Sequence, residues 1–215
     1  MNTYLQRLIN EGEHVTQDFK YAINDSKKIA RSLSAFSNTE GGRLLIGVKD
    51  NGSVIGVSSD EEYYMIEAAA QMYCKPAIDF KAESYNWDGK TVLEISVEPS
   101  PYKPVSAPTK DGLWRVFIRV EDQNLLANGV LLKVWRREKS GRPIVISYTQ
   151  KEKMLLQYLR DNERITMSKF IKLARISYKS AERIMVDMIA LKLVDIVFTE
   201  KQVYYTLNPD RDTVM

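Results

Sequence analysis

The sequence predicts an α+β protein with two domains, and three observations support this prediction. The stretch from Ala35 to Val57 has the pattern of a helix end, a tight glycine turn, a buried strand and a hairpin turn. Short apolar runs separated by Gly, Pro and Asn continue to about residue 120, which is typical of further strands. After Pro143 the apolar side chains recur at helical spacing, which indicates a second, mainly helical domain. A length of 215 residues accommodates two domains.

The first domain is predicted to begin with a short amphipathic helix, a strand and a second helix. Asn38 to Gly42 ends that second helix, because glycine adopts the left-handed cap conformation that side chains resist. A three-residue apolar run then suits a strand buried on both faces, and Asn51-Gly52 favours a hairpin turn after it. These elements are a helix over 2–10, a strand over 15–21, a helix from 26, a strand over 44–46 and a strand over 54–57.

The remainder of the first domain alternates strands, loops and helices. A segment with four prolines, residues 99–112, is predicted to be an extended loop, and its length suggests a binding role. A basic segment that contains glycine and proline is predicted to link the two domains. The expected elements are a helix over 60–73, strands over 77–85, 91–98 and 113–120, a helix over 123–137 and the linker over 139–146.

The last third has the order helix, helix, helix and two-stranded hairpin. Thr166 and Ser177 stand where helix caps are expected, because their hydroxyl oxygens accept hydrogen bonds from the first free amides of a helix. The predicted helices cover 149–161, 166–173 and 177–193, and the predicted strands cover 194–198 and 203–207.

Composition and charge limit the possible classes of protein. The chain is 44% hydrophobic and 27% charged, as in ordinary globular proteins, and no apolar run approaches the ~20 residues of a membrane helix. No signal peptide is evident, and the single cysteine, Cys74, suits a reducing compartment, so we expect a cytoplasmic protein without membrane contact.

The net charge of +3 is unevenly distributed along the chain. Residues 1–146 hold 19 basic and 19 acidic side chains, whereas residues 147–207 hold 11 basic and 7 acidic ones. A basic surplus in the last third permits contact with nucleic acid. A second basic cluster precedes it, at Lys133, Arg136, Arg137, Lys139 and Arg142. This cluster is either a solvated helix end and linker or a contact with the DNA backbone.

The first two thirds of the chain resemble the AlbA_2 family, also called the divergent AAA-4 or Schlafen AlbA_2 domain. The family pattern is matched by Glu13, by Asp18-Phe19-Lys20, by Ala35 to Gly42 with Asn38, Gly41 and Gly42, and by Gly47 to Asp50. Its later Tyr-x-Arg-x-Gly segment is matched by Phe117 to Val120, which includes Arg119, although Glu121 replaces the usual glycine. The resemblance implies a mixed sheet with flanking helices and a nucleic-acid-binding domain over residues 1–138.

In the Schlafen branch of this family, acids at matching positions form a metal-dependent RNA-cleaving site. The resemblance therefore implies that Glu13, Asp18 and Asp50 could bind Mg²⁺ or Mn²⁺, which carboxylate clusters suit. Asp18 stands where glutamate is usual. The alternative interpretation is structural, with Glu13 and Asp18 paired to Lys20 or to backbone and Asp50 supporting the hairpin turn.

A nucleotide-hydrolysing site is not expected in this sequence. The family has been described as ATP-binding, but no GxxxxGK[ST] motif occurs in the chain. Gly41 and Gly42 are explained by the tight turn.

The last third, residues 147–208, resembles winged helix-turn-helix domains in the order and spacing of its elements. In such domains the third helix enters the DNA major groove. The candidate DNA contacts are then Ser177, Tyr178, Lys179, Ser180 and Arg183, with Lys201 in the wing.

We therefore expect a DNA-binding protein, a transcriptional regulator that binds duplex DNA as a homodimer and needs no resident cofactor. Paired half-sites are usual for helix-turn-helix proteins, which favours the dimer. Two alternatives stay open. One is the metal-dependent ribonuclease, with RNA as substrate, and the other is a protein-interaction module that binds no nucleic acid.

Overall fold

A computed structural model describes residues 3–57, 60–141, 143 and 148–209. The chain divides into two compact units, Met1–Ala127 and Asn128–Met215. Helices and a mixed sheet occur together, which confirms the α+β class. None of the helices in the described ranges is long and apolar enough to cross a membrane.

The first unit contains a four-stranded mixed sheet and a three-stranded antiparallel sheet. The strand order of the larger sheet is β1-β2-β4-β3, where β1 and β2 are parallel and the other pairs are antiparallel. The smaller sheet has the order β5-β6-β7. The elements of this unit are α1 (Thr3–Glu11), β1 (Gln17–Lys20), α2 (Ser26–Asn38), β2 (Gly42–Ile46), α3 (Glu61–Met72), β3 (Lys81–Trp87), β4 (Lys90–Val97), β5 (Ser106–Pro108), β6 (Trp114–Val120) and β7 (Gln123–Leu126).

Strand β2 separates two apolar cores, as its continuous apolar sequence predicted. Leu44 and Ile46 are fully buried in the core that includes α2, whereas Leu45 is buried in a second core with Phe19 of β1. Successive side chains of a strand point to opposite faces, so three apolar residues in a row are needed when both faces are covered.

The glycine turn between α2 and β2 is required by close packing. A Cβ atom on Gly41 would lie 2.7 Å from the carbonyl oxygen of Val97, and its φ of +79° is unfavourable for other residues. A Cβ atom on Gly42 would lie 2.4 Å from the ring of Phe36. The turn therefore brings the end of α2 against the sheet at a distance that side chains would prevent.

Three predicted elements of the first unit differ from the structure. The loop over 99–112 contains β5, which pairs with β6, and the second hairpin strand over 54–57 is reduced to a single bridge between Val48 and Val54. The helix predicted over 123–137 is instead β7 followed by a separate helix. Glu121, with φ of +53°, lies in the two-residue connection where the chain reverses from β6 into β7.

The second unit contains four helices and a two-stranded hairpin within its described residues. Asn128 caps the first of these helices by accepting a hydrogen bond from the amide of Leu131, and Thr149, Thr166 and Ser177 cap the other three. The elements are α4 (Gly129–Lys139), α5 (Gln150–Asp161), α6 (Met167–Ala174), α7 (Tyr178–Ala190), β8 (Val194–Phe198) and β9 (Val203–Leu207).

Helix α4 belongs to this second unit, whereas the sequence analysis placed it in the first domain and the domain boundary after residue 138. Val130 and Val134 are buried in the same apolar cluster as Leu155, Ile184 and Met185. These two valines are four residues apart and face one side of α4, and their burial attaches the helix to α7. Of the predicted linker over 139–146, residues 142 and 144–146 lie outside the described residues.

Candidate functional site

Asn38, at the last position of α2, is a buried structural residue. Its amide nitrogen donates to the carbonyl oxygens of Val105 at 2.7 Å and Phe117 at 2.8 Å, and its carbonyl oxygen accepts from the amide of Val105 at 2.8 Å. These bonds satisfy backbone groups that are buried between α2, β6 and the segment that enters β5. Asn38 therefore attaches the helix to the smaller sheet.

Arg119, on β6, is 3% exposed and is surrounded by acceptors. Its Nη2 donates to the carbonyl oxygen of Gln17 at 3.2 Å and its Nη1 to Oδ1 of Asn124 at 3.1 Å. The same Nη2 lies 3.4 Å from Oδ1 of Asp18, and the guanidinium lies over the ring of Phe36 at 5.3 Å. A buried charge needs such partners, because desolvation without them costs several kcal/mol.

Glu13, Asp18 and Lys20 complete a compact cluster with Arg119. The ammonium of Lys20 lies 2.8 Å from Oδ2 of Asp18 and 4.0 Å from Oε1 of Glu13. Oε1 of Glu13 also accepts from the amide of Phe19 at 2.9 Å. Asp18 is 4% exposed, and both of its oxygens face cations, so its charge is neutralised inside the protein.

The pKa values of the two acids move in opposite directions. Burial, followed by a hydrogen bond with Asp18, raises the pKa of Glu13 to about 7. Burial also tends to raise the pKa of Asp18, but the hydrogen bond from Glu13 and the cations Lys20 and Arg119 outweigh it and lower that pKa. At pH values between the pKa of Asp18 and that of Glu13, Asp18 therefore carries the negative charge of the pair, and Glu13 is protonated.

The predicted metal ligands do not come together as a three-carboxylate site. Glu13 and Asp18 are hydrogen-bonded, but Asp50 is an exposed residue in the hairpin turn. Within residues 3–57, 60–141, 143 and 148–209, no three His, Cys, Asp or Glu side chains are grouped to hold a metal ion. Since the oxygens of Asp18 already face Lys20 and Arg119, these residues do not fit a Mg²⁺ or Mn²⁺ site.

Helix α7 presents the predicted DNA-contacting residues at its amino-terminal end. Oγ of Ser177 accepts from the amide of Ser180 at 3.3 Å and so caps the helix. Tyr178 is 57% exposed, and Lys179 and Arg183 are exposed one turn apart. The opposite side of the helix is buried through Ala181, Ile184, Met185 and Met188.

The second predicted contact region, the turn between β8 and β9, carries Lys201 as an exposed residue. Oγ1 of Thr199 closes this turn by accepting from the amide of Gln202 at 3.2 Å and donating to its carbonyl oxygen at 2.8 Å. Lys201 therefore lies at the tip of an ordered hairpin, where its ammonium is accessible to a ligand.

Helix α4 lies along α7, and this arrangement was missed in the sequence analysis. Lys133 forms an ion pair with Glu182, and Nη2 of Arg137 lies 3.7 Å from Oδ1 of Asp187. The signal that could have revealed the packing was the Asn128 cap followed by Val130 and Val134, which marks a separate amphipathic helix. The basic residues of α4 therefore belong to the surface of the second unit.

Comparisons with known proteins found one matching family model and several solved structures. A protein-family model described as Schlafen, AlbA_2 matches residues 13–128, more than half of the chain. The DIP2311 protein from Corynebacterium diphtheriae is 22% identical with a TM-score of 0.42; the match covers 68% of this chain and 33% of that one, so this chain spans about a third of that protein.

A second solved structure is the N-terminal domain of a RecG-related protein from Nitrosomonas europaea. It is 21% identical with a TM-score of 0.40, and the match covers 58% of this chain and 95% of that domain. A search of curated proteins found no match.

Proposed function

The chain belongs to the Schlafen AlbA_2 family through residues 13–128, and on that premise we propose that it is a DNA-binding protein, a transcriptional regulator, whose second unit contacts duplex DNA. We interpret α5, α6, α7 and the β8–β9 hairpin as a winged helix-turn-helix domain. Their order is the one such domains have, and α7 is the helix that would enter the major groove.

The observation that carries this proposal is the pair of exposed cations on α7. Lys179 and Arg183 form no ion pair with any residue that the structure describes. Like charges one turn apart on a helix repel, by about 0.2–0.5 kcal/mol, so their placement does not serve the helix itself. A phosphate or the N7 and O6 atoms of guanine would supply the missing partner.

The neighbouring groups suit the same ligand. The hydroxyl of Tyr178 and the free amides at the start of α7 are donors for phosphate oxygens, and the helix dipole places partial positive charge there. Lys201 at the hairpin tip would reach the adjacent DNA backbone. In this proposal the first unit acts as a stable scaffold, because its charged cluster is already paired internally.

We further propose that the protein acts on DNA as a homodimer. One recognition helix supplies few base contacts, and two copies that bind paired half-sites would multiply the affinity. Sedimentation of the protein with a duplex should show two chains per DNA molecule. One chain per DNA molecule would contradict the dimer. It would not contradict the DNA contact, which the next experiment tests.

Fluorescence anisotropy with labelled duplex DNA tests the DNA contact. The wild-type protein should bind, and its affinity should fall steeply with salt concentration. Lys179→Ala/Arg183→Ala should weaken binding by tenfold or more, since two cation contacts are lost. The matched control is Lys151→Ala/Arg160→Ala, which removes the same charges from exposed positions of α5. Equal binding by the test and control variants would refute the proposal.

A further inference from the structure

Helices α4 and α7 enclose a groove of about 580 Å³ within the second unit. Its lining includes five cationic side chains, at Lys133, Arg136, Arg137, Lys179 and Arg183, and two acidic ones, at Glu182 and Asp187. The lining therefore has a surplus of three positive charges. Three of the five cations belong to α4, so this helix adds positive charge beside the proposed recognition helix α7.

Both acidic side chains of the groove form ion pairs with cations of α4. Glu182 is bound by Lys133, and Asp187 lies 3.7 Å from Arg137. Arg136, Lys179 and Arg183 then face solvent with no acid paired to them in the described part of the chain. In addition, Nε of Arg137 is buried and has no hydrogen-bond partner there. A buried donor without a partner is unfavourable, and an acceptor held in the groove could satisfy it.

We propose that α4 is a second DNA-contacting helix and that the α4–α7 groove holds phosphate groups of the duplex backbone. This inference rests on the proposed function, because it concerns the same duplex that α7 contacts. Arginine suits this role, since its planar guanidinium binds two phosphate oxygens at once. Arg136 and Arg137 would fix the position of the backbone, whereas the exposed end of α7 would contact the bases.

A competing explanation is that the cations of α4 only offset the helix dipole. Arg136, Arg137 and Lys139 lie in the last turn of α4, where positive charge is favourable because the helix dipole places partial negative charge there. That explanation accounts for their position along α4 but assigns no role to the cations that face them from α7. The two explanations differ in the effect that Arg136 has on DNA affinity.

The test is the salt dependence of duplex binding by the 215-residue chain. For Arg136→Gln, loss of one phosphate contact should make the plot of log affinity against log salt shallower by about 0.9 and weaken binding roughly five- to tenfold at 0.1 M salt. The loss should be the same for every duplex sequence, because phosphates carry no sequence information. Arg136→Lys should retain most of the slope, since it keeps the charge.

The matched control is Arg160→Gln, which makes the same chemical change at an exposed position of α5. If Arg136→Gln and Arg160→Gln have the same slope and affinity while Lys179→Ala/Arg183→Ala weakens binding, the inference is wrong and the proposed function stands. If the wild-type chain does not bind duplex DNA at all, both are wrong. Arg136 is exposed, and unchanged thermal unfolding of the variant would show that its fold is intact.

Discussion

Two charged clusters of this protein use the same kinds of side chain in opposite ways. In the first unit Glu13, Asp18, Lys20 and Arg119 are mostly buried and paired with one another. In the second unit Arg136, Lys179 and Arg183 are exposed, with no counter-ion in the part of the chain that the structure describes. Buried charges must be paired to be tolerated, whereas exposed cations without partners remain available for a ligand. We therefore propose that the first cluster stabilises its unit and that the second cluster binds DNA.

Arg119→Ala should show the largest effect on stability. It removes one of the two cations beside Asp18 and leaves the carbonyl oxygen of Gln17 and Oδ1 of Asn124 without this donor in a buried region. The free energy of unfolding of the first unit should therefore fall by about 3–5 kcal/mol. Urea denaturation measures this change. Arg115→Ala, at an exposed position of the same strand, is the control, and a similar small loss for both variants would remove the structural role of the cluster.

Much of the fold follows from local chemistry in the sequence. The apolar residues 44–46 and the glycine turn before them correctly predicted a strand covered on both faces, and the hairpin strands over 194–198 and 203–207 match the structure. These features depend on neighbours in the chain. In contrast, β5 forms because β6 lies beside it, and β7 was taken for a helix because its leucines continue into the valines of α4.

The candidate site was less predictable than the fold. The pairing of Asp18 with Arg119 joins residues about a hundred positions apart, so spacing alone could not show that the acid is neutralised. Asp50 matches an acidic position of the family pattern, but in the structure it lies in an exposed turn. The groove between α4 and α7 was missed because α4 was assigned to the wrong side of the domain boundary.

Arg183→Ala should leave the stability of the second unit almost unchanged. The side chain is exposed and pairs with no acid in the described residues, so the free energy of unfolding of the second unit should change by less than about 0.5 kcal/mol. Urea denaturation monitored by circular dichroism measures the change. A loss above about 1.5 kcal/mol would mean that Arg183 supports the fold and would weaken its assignment as a binding residue.

Glu13→Gln should change how the stability of the first unit depends on pH. Folding raises the pKa of Glu13 from 4.5 to about 7, so its stabilising contribution is complete below pH 4.5 and is lost as the pH rises through about 7. Asp18 has a lowered pKa, so its contribution is present above pH 3.8 and constant across this window. The melting temperature of the first unit should therefore fall less between pH 5 and 7.5 in Glu13→Gln than in the wild type.

The control for this experiment is Glu67→Gln, at an exposed position of α3. It should keep the wild-type pH dependence, because its environment is solvent. If Glu13→Gln and Glu67→Gln follow the same curve as the wild type, Glu13 does not share a proton with Asp18. The first cluster would then not be an internally paired group.

Lysine footprinting of the 215-residue chain, with and without duplex DNA, shows which of the two units binds the duplex. A lysine-acylating reagent followed by mass spectrometry reports the accessibility of each ammonium. Lys179 and Lys201 should be protected by the duplex, whereas Lys27 and Lys49, exposed lysines of the first unit, should react as in the free protein. Protection of Lys27 and Lys49 with unchanged reactivity of Lys179 would contradict the account, because DNA would then bind the unit whose charges we describe as structural.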